Sequence, residues 1–242
     1  MTDALVLPVY NEARTVEAVL SAVREVFDGV VVVVDDGSTD DTPRIVNAVP
    51  GVVTLCHEEN RGYGRSLIDG FEAAFTVGAD RIVTMDCDGQ HEPAHIPAFL
   101  AALERADIVS GSRYLPESGA VGATPPDRMR VNAAVTKAIN RVTRWGITDA
   151  FCGFKAYRAA SLRRLRLTED GYAMPIQLWA EAWKAGLSVC EIAIERIYCD
   201  ADRSFGADLD DPGRRLAYYL SVWENALKGT VGGGSGKEHT HG

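Results

Sequence analysis

The sequence predicts an α/β fold, a Rossmann-like and mostly parallel sheet flanked by helices. Two observations carry this. Short apolar runs alternate with longer segments of helical period, and the runs are continuously apolar instead of alternating, as strands covered on both faces must be. A third is size: 242 residues at 46% hydrophobic content bury a core without disulfide or metal staples.

In chain order, Ala4–Tyr10 reads as a strand, Thr15–Phe27 as a helix and Val30–Val34 as a β-branched strand. Strands over Val52–Cys56, Arg81–Met85 and Asp107–Ser110 follow, with helices over Pro43–Ala48, Arg65–Val77 and Ala94–Arg105 between them. After Arg113 the pattern changes. A turn-rich stretch, Tyr114–Pro126, leads to a helix over Asp127–Arg144, an aromatic segment Phe151–Tyr157 and a helix over Tyr172–Ala185. Ser188–Tyr198 reads as a strand, Cys199–Asp211 as a polar loop and Pro212–Lys228 as a helix with proline at its first position. No Pro/Gly/Ser-rich linker divides the chain, so residues 1–228 read as a single domain, with 1–113 forming one half and 114–228 an extension that completes it. The segment 229–242 has six glycines in fourteen residues and reads as a flexible tail.

Lys+Arg 25 against Asp+Glu 34 gives a net charge of −9, which argues against nucleic acid as a partner. The charge is uneven: from Arg128 to Arg166 ten basic residues face one acid, Asp149. The five cysteines are odd in number and lack a CxxC pair, so neither a disulfide framework nor a zinc knuckle is indicated. No apolar run approaches the roughly 18 residues of a spanning helix. The chain begins on a strand and not on a signal peptide. A cytoplasmic protein is the expectation.

Polar groups follow three of the predicted strands: Pro8–Glu12, Asp35–Ser38 and Asp86–His91. In a parallel sheet these carboxyl ends converge on one rim, where ligands bind. Asp35 can accept hydrogen bonds from a base or ribose, and Gly37 permits close approach of a ligand. The same stretch also reads as a turn and helix cap. In an extended Asp86–Gln90, alternation aims Asp86, Asp88 and Gln90 to one side, an oxygen set suited to Mg²⁺ or Mn²⁺. The alternative is an acidic turn capping the helix near Pro93. Cys87 then faces away, toward packing, and His91 reads as a helix-start residue.

The motifs Leu7–Glu12, Val34–Asp40, Asn60–Gly64, Met85–His91 with Pro93, Gly111–Tyr114 and Cys152–Arg158 occur in the order found in family-2 glycosyltransferases. Over about residues 4 to 200 the chain resembles the dolichyl-phosphate mannosyltransferase and polyprenyl-phosphate glucosyltransferase group. The resemblance implies a GT-A fold, a nucleoside-diphosphate-sugar donor of the GDP-mannose or UDP-glucose type, a divalent metal and inverting hexosyl transfer. It places Pro8, Tyr10, Glu12, Val33 and Asp35 around the nucleoside, with Cys87 in the same donor site. It assigns Asp86, Asp88 and Gln90 to metal and diphosphate, with Asp88 and Arg113 at the reaction centre, and Arg113, Arg130 and Arg203 to an acceptor phosphate. Two departures fall in the acceptor half: Gln177 replaces an acidic residue, and Asp200–Gly206 replaces a basic Gly-Ser-Lys loop.

A lipid-phosphate acceptor needs no strong base. A sugar hydroxyl does, and Asp149 is then the candidate. A nucleotidyltransferase and a non-catalytic nucleotide-sugar-binding module are the rival readings; Leu7–Glu12 has neither the Gly-rich loop nor the lysine that would favour the first. The basic stretch lies in the acceptor half and suits an anionic leaflet, which predicts weak, salt-sensitive binding to anionic vesicles and a peripheral position at the inner membrane face.

Overall fold

The computed structural model describes residues 1–122, 124–197 and 209–229. Its first half is β1 (Asp3–Val9), α1 (Val16–Val26), β2 (Val30–Asp35), α2 (Thr42–Ala48), β3 (Val52–Cys56), α3 (Tyr63–Thr76) and β4 (Arg81–Thr84). A 3₁₀ turn at Pro93–His95, α4 (Ile96–Ala102) and β5 (Ile108–Ser112) follow. The second half holds β6 (Ala120–Val121), α5 (Pro126–Thr143), β7 (Lys155–Arg158), α6 (Ala159–Leu162) and α7 (Met174–Lys184), then β8 (Val189–Ala193), β9 (Arg196–Ile197) and α8 (Pro212–Lys228).

The main sheet runs β3-β2-β1-β4-β7-β5-β8. Its central strands β1 and β2 are mostly apolar because both faces are covered. Leu5, Leu7, Val31 and Val33 pack with α1 and α4, whereas Ala4, Val6, Val32 and Val34 pack with α3, α5, α7 and α8. In α1 the buried residues Val16, Val19, Leu20 and Val23 fall at i, i+3, i+4 and i+7, one helical face. Pro212 opens α8 and the Asp211 carboxylate accepts from Arg214 N, as an N-cap should.

Three expectations are corrected. The segment Phe151–Tyr157 contains a strand, β7, inserted antiparallel between β4 and β5. Four residues that begin on a lysine and end on an arginine leave no apolar period to detect. Within the strand expected over Ser188–Tyr198, the described residues 188–197 hold two strands: β8 joins the main sheet and β9 pairs with β6. The helix expected over Ala94–Arg105 is split into the 3₁₀ turn and the shorter α4. The polar loop Cys199–Asp211 lies largely outside the described residues, as does nearly all of the tail 229–242. The order β2-β1-β4 makes the three acid-bearing strands neighbours, with Val9 paired to Asp35 and Val6 to Thr84. Their carboxyl ends share one rim.

Candidate active site

A cavity of about 860 Å³ opens at that rim. Pro8, Tyr10, Glu12, Asp86, Cys87, Asp88 and Gln90 line it. Cys87 contributes little surface: it is 2% exposed and packs in the core, and burial pushes its thiol well up. Val33 and Asp35 are not part of this lining. Val33 is fully buried in the sheet core, and Asp35 is 2% exposed with Oδ1 accepting from Ser38 N at 3.0 Å. Asp36 lines the cavity instead. Its two oxygens accept from Arg61 N and Gly62 N, each at 2.9 Å, and Oδ1 lies 2.6 Å from His57 Nδ1. Gly37 serves the chain itself, since a Cβ there would meet Glu59 C at 2.5 Å. The Asx-rich turn therefore braces the Asn60–Gly64 segment, which adds Asn60, Gly62 and Tyr63 to the wall.

After Met85 the acid segment leaves the extended conformation. Gly89 has φ +75° and Gln90 N donates to Asp88 Oδ1 at 3.0 Å, so a turn, and not strand alternation, brings Asp86, Asp88 and Gln90 to the cavity. These acids do not cap the next helix, because the 3₁₀ turn begins after Glu92 without a side-chain cap bond. His91 is an anchor: 7% exposed, its Nδ1 accepts from Asp86 N at 3.2 Å, and burial lowers its pKa. Gly153 closes the cradle, since a Cβ there would fall 2.3 Å from Asp86 Oδ2. Two carboxylates and an amide oxygen on one wall are hard donors that fit Mg²⁺ or Mn²⁺ with diphosphate oxygens or water completing the shell. Among the described residues no cluster of three or more His, Cys, Asp or Glu is arranged to hold a metal. Gln90 and the ligand's own oxygens therefore matter in this assignment.

A second cavity, about 170 Å³, adjoins the first and shares Tyr63, Asp86, Asp88, Gln90 and Tyr172 with it. Arg113, Arg128 and Arg215 line its far side, with Tyr114, Phe151 and Tyr219. Arg113, immediately after β5, is gripped by Asp149 through Nε at 2.7 Å and Nη2 at 3.0 Å. Asp149 is fully buried and also accepts from Asn132 Nδ2 at 2.8 Å. Burial alone would raise its pKa, but the Arg113 charge and hydrogen bond, with that of Asn132, outweigh this and hold it at about 2. Fully buried, with its oxygens engaged by Arg113 and Asn132, Asp149 is the seat of Arg113. Arg130 is exposed on α5 and lines neither cavity, whereas Arg128, two residues earlier, lines the second. Arg203 lies outside the described residues. Gln177 is structural here, with Oε1 accepting from Thr168 N at 2.8 Å and Glu169 N at 2.9 Å. Arg215, which the sequence presents as an ordinary helix arginine, is 3% exposed and bonds Asp127 at 2.6 Å.

Residues 4–166 match the family model for glycosyl transferase family 2. The chain belongs to glycosyl transferase family 2. This glycosyltransferase is 31% identical over 197 residues to the undecaprenyl-phosphate mannosyltransferase of Micrococcus luteus, covering 78% of this chain and 81% of that one. It is 32% identical over 204 residues to the polyprenol monophosphomannose synthase of Mycolicibacterium smegmatis, covering 78% and 75%. Among solved structures, glucosyl-3-phosphoglycerate synthase from Mycobacterium tuberculosis, in complex with Mn²⁺, UDP and glucosyl-3-phosphoglycerate, superimposes with a TM-score of 0.71 at 21% identity. That match covers 96% of this chain and 82% of the other. The fold of this family-2 enzyme is GT-A, and its relatives place it in the polyprenyl- and dolichyl-phosphate glycosyltransferase group.

Proposed function

We propose that the enzyme transfers a hexose from a nucleoside-diphosphate sugar of the GDP-mannose or UDP-glucose type to a polyprenyl phosphate, with inversion at the anomeric carbon. The observation that carries this is the make-up of the second cavity. Among the described residues it presents three guanidinium groups, and its only carboxylates are Asp86 and Asp88 on the wall shared with the donor cavity. Guanidinium forks match phosphate oxygens, so this lining favours an anionic nucleophile over a neutral one.

The roles follow from the two cavities. Residues 1–113 hold the donor, with Pro8, Tyr10 and Glu12 at the nucleoside end, and residues 114–228 receive the acceptor. A divalent cation on Asp86, Asp88 and Gln90 would neutralise charge on the departing diphosphate. Arg113, held rigid by Asp149, faces the acceptor cavity with its charge permanently on. An acceptor phosphate oxygen is anionic at neutral pH and attacks without giving up a proton. The undecaprenyl-phosphate and polyprenol names of the two relatives support this acceptor class, and the Mn²⁺ and UDP in the structural neighbour support a metal-assisted donor.

No described helix is long and apolar enough to cross a membrane. The basic run of the sequence is dispersed in space: Lys155 is buried, Arg128 lines the cavity, and Arg130, Lys137, Arg141 and Arg144 are exposed along and just after α5. That exposed stripe supports a peripheral seat on the anionic cytoplasmic leaflet.

The acceptor assignment is tested by comparing two arginines. Arg128→Ala is expected to raise KM for a polyprenyl phosphate about tenfold, the ~1.5 kcal/mol of one charged hydrogen bond. The KM for donor stays unchanged, and Arg130→Ala leaves both constants within about twofold. Equal effects of the two substitutions, measured in steady-state assays, would remove Arg128 from the acceptor site.

A further inference from the structure

Five residues line both cavities; three are the oxygen ligands Asp86, Asp88 and Gln90, and the other two are Tyr63 and Tyr172. The tyrosine rings stack with centroids 5.9 Å apart and an interplanar angle of 19°. Tyr63 is the first residue of α3 and its hydroxyl donates to Asp86 Oδ1 at 3.0 Å. Among the described residues no other group donates to that carboxylate. From these contacts we infer that Tyr63 is a positioning residue for Asp86 and that, with Tyr172, it forms the partition that admits acceptor and excludes water where the two cavities meet. This rests on the donor and acceptor reading given above.

The backbone around Tyr63 is over-determined, as a positioning role requires. Asp36 accepts from both Arg61 N and Gly62 N just before it, and Arg65 N donates to Asp170 O at 3.0 Å just after it. Gly64 has no room for a side chain, because a Cβ would meet Glu169 O at 2.2 Å. The loop carrying Tyr172 therefore lies directly on the start of α3, and the ring pair is clamped between two braced segments. The hydroxyl is directed at Asp86. A carboxylate held at one oxygen keeps a fixed orientation, and a cation site built on it loses less entropy on loading.

The two parts of this role separate under substitution. Tyr63→Phe removes the hydroxyl and keeps the ring; Tyr63→Ala removes both, and Tyr63→Leu replaces it if the alanine variant aggregates. The first measurement is calorimetric titration of Mn²⁺ into protein saturated with GDP or UDP, whichever the wild type binds. The second is the ratio of donor hydrolysed to donor transferred with a polyprenyl phosphate present. In hydrolysis, water forms the new bond to the anomeric carbon, the nucleoside diphosphate leaves with the old bonding pair, and the water proton passes to solvent.

Tyr63→Phe is expected to weaken Mn²⁺ binding five- to tenfold (roughly a decade per 1.4 kcal/mol) with the hydrolysis ratio unchanged. Removing the ring is expected to weaken Mn²⁺ equally and to raise that ratio about tenfold. Wild-type Mn²⁺ affinity in Tyr63→Phe, or a wild-type ratio in the ring-deleted variant, would overturn the inference. If the wild type itself binds no nucleotide with Mn²⁺, the donor-site reading fails and not the assignment of Tyr63 within it.

Discussion

Asp88→Ala is expected to lose Mn²⁺-dependent binding of the nucleoside diphosphate and to lower kcat/KM by about 1000-fold, or ~4 kcal/mol of transition-state stabilisation. Asp88 stands on the wall shared by the two cavities, where the proposed transfer would take place. Asp88 also closes the Gln90 turn, and a single bond of this kind is worth about 1 kcal/mol. The variant should therefore melt within a few degrees of wild type while losing metal coupling, a separation that calorimetric titration and a melting curve together read out. A variant that binds nucleotide with undiminished metal dependence would place the cation elsewhere.

Asp149→Asn should reverse that pattern, with stability and activity falling together. Asp149 is fully buried, and it holds Arg113 by two hydrogen bonds of 2.7 and 3.0 Å. Removing one charge from a buried pair costs about 3 kcal/mol or more because the other is left uncompensated. For a chain of this size that is roughly a 10 °C fall in melting temperature. Activity falls as well, since Arg113 loses the partner that aims it into the acceptor cavity. The pH dependence has a definite sign. The folded pKa, about 2, lies below the unfolded value of roughly 3.9. The pair therefore contributes fully above about pH 4 and is lost as pH falls toward 2. In acid titrations followed by circular dichroism the wild type should lose stability over that window, and Asp149→Asn should be flatter across it. Equal melting temperatures for variant and wild type at neutral pH would show that the pair does not stabilise the fold.

The donor rim was legible in the sequence for a physical reason. A buried parallel sheet forces continuous apolar strands, and the residues that break the run, Asn11, Glu12, Asp86 and Asp88, stand where the strands end. Asp35 and Val33 are buried, because a strand's last residues belong to the core as readily as to the rim. Asp36, one residue further on, reaches the cavity. The acceptor side was less legible. Arg128 and Arg130 differ by two positions on a helix, about 200° of rotation, and nothing in their composition says which faces inward. Asp149 carries its meaning only through Arg113, thirty-six residues away, and Tyr63 only through Tyr172 and Asp86. Strand β7 escaped notice because four residues framed by charges have no apolar period, yet it delivers Gly153 against Asp86.

The most direct test of the central claim is a product assay with purified protein, Mn²⁺, a polyprenyl phosphate and separate GDP-mannose and UDP-glucose donors. Organic extraction followed by mass spectrometry identifies what has formed. The expected result is a lipid-linked hexose phosphate from at least one donor, formed only with metal present and carrying the anomeric configuration opposite to that of the donor. No lipid product from either donor, or product formed equally well after chelation of the metal, would contradict it.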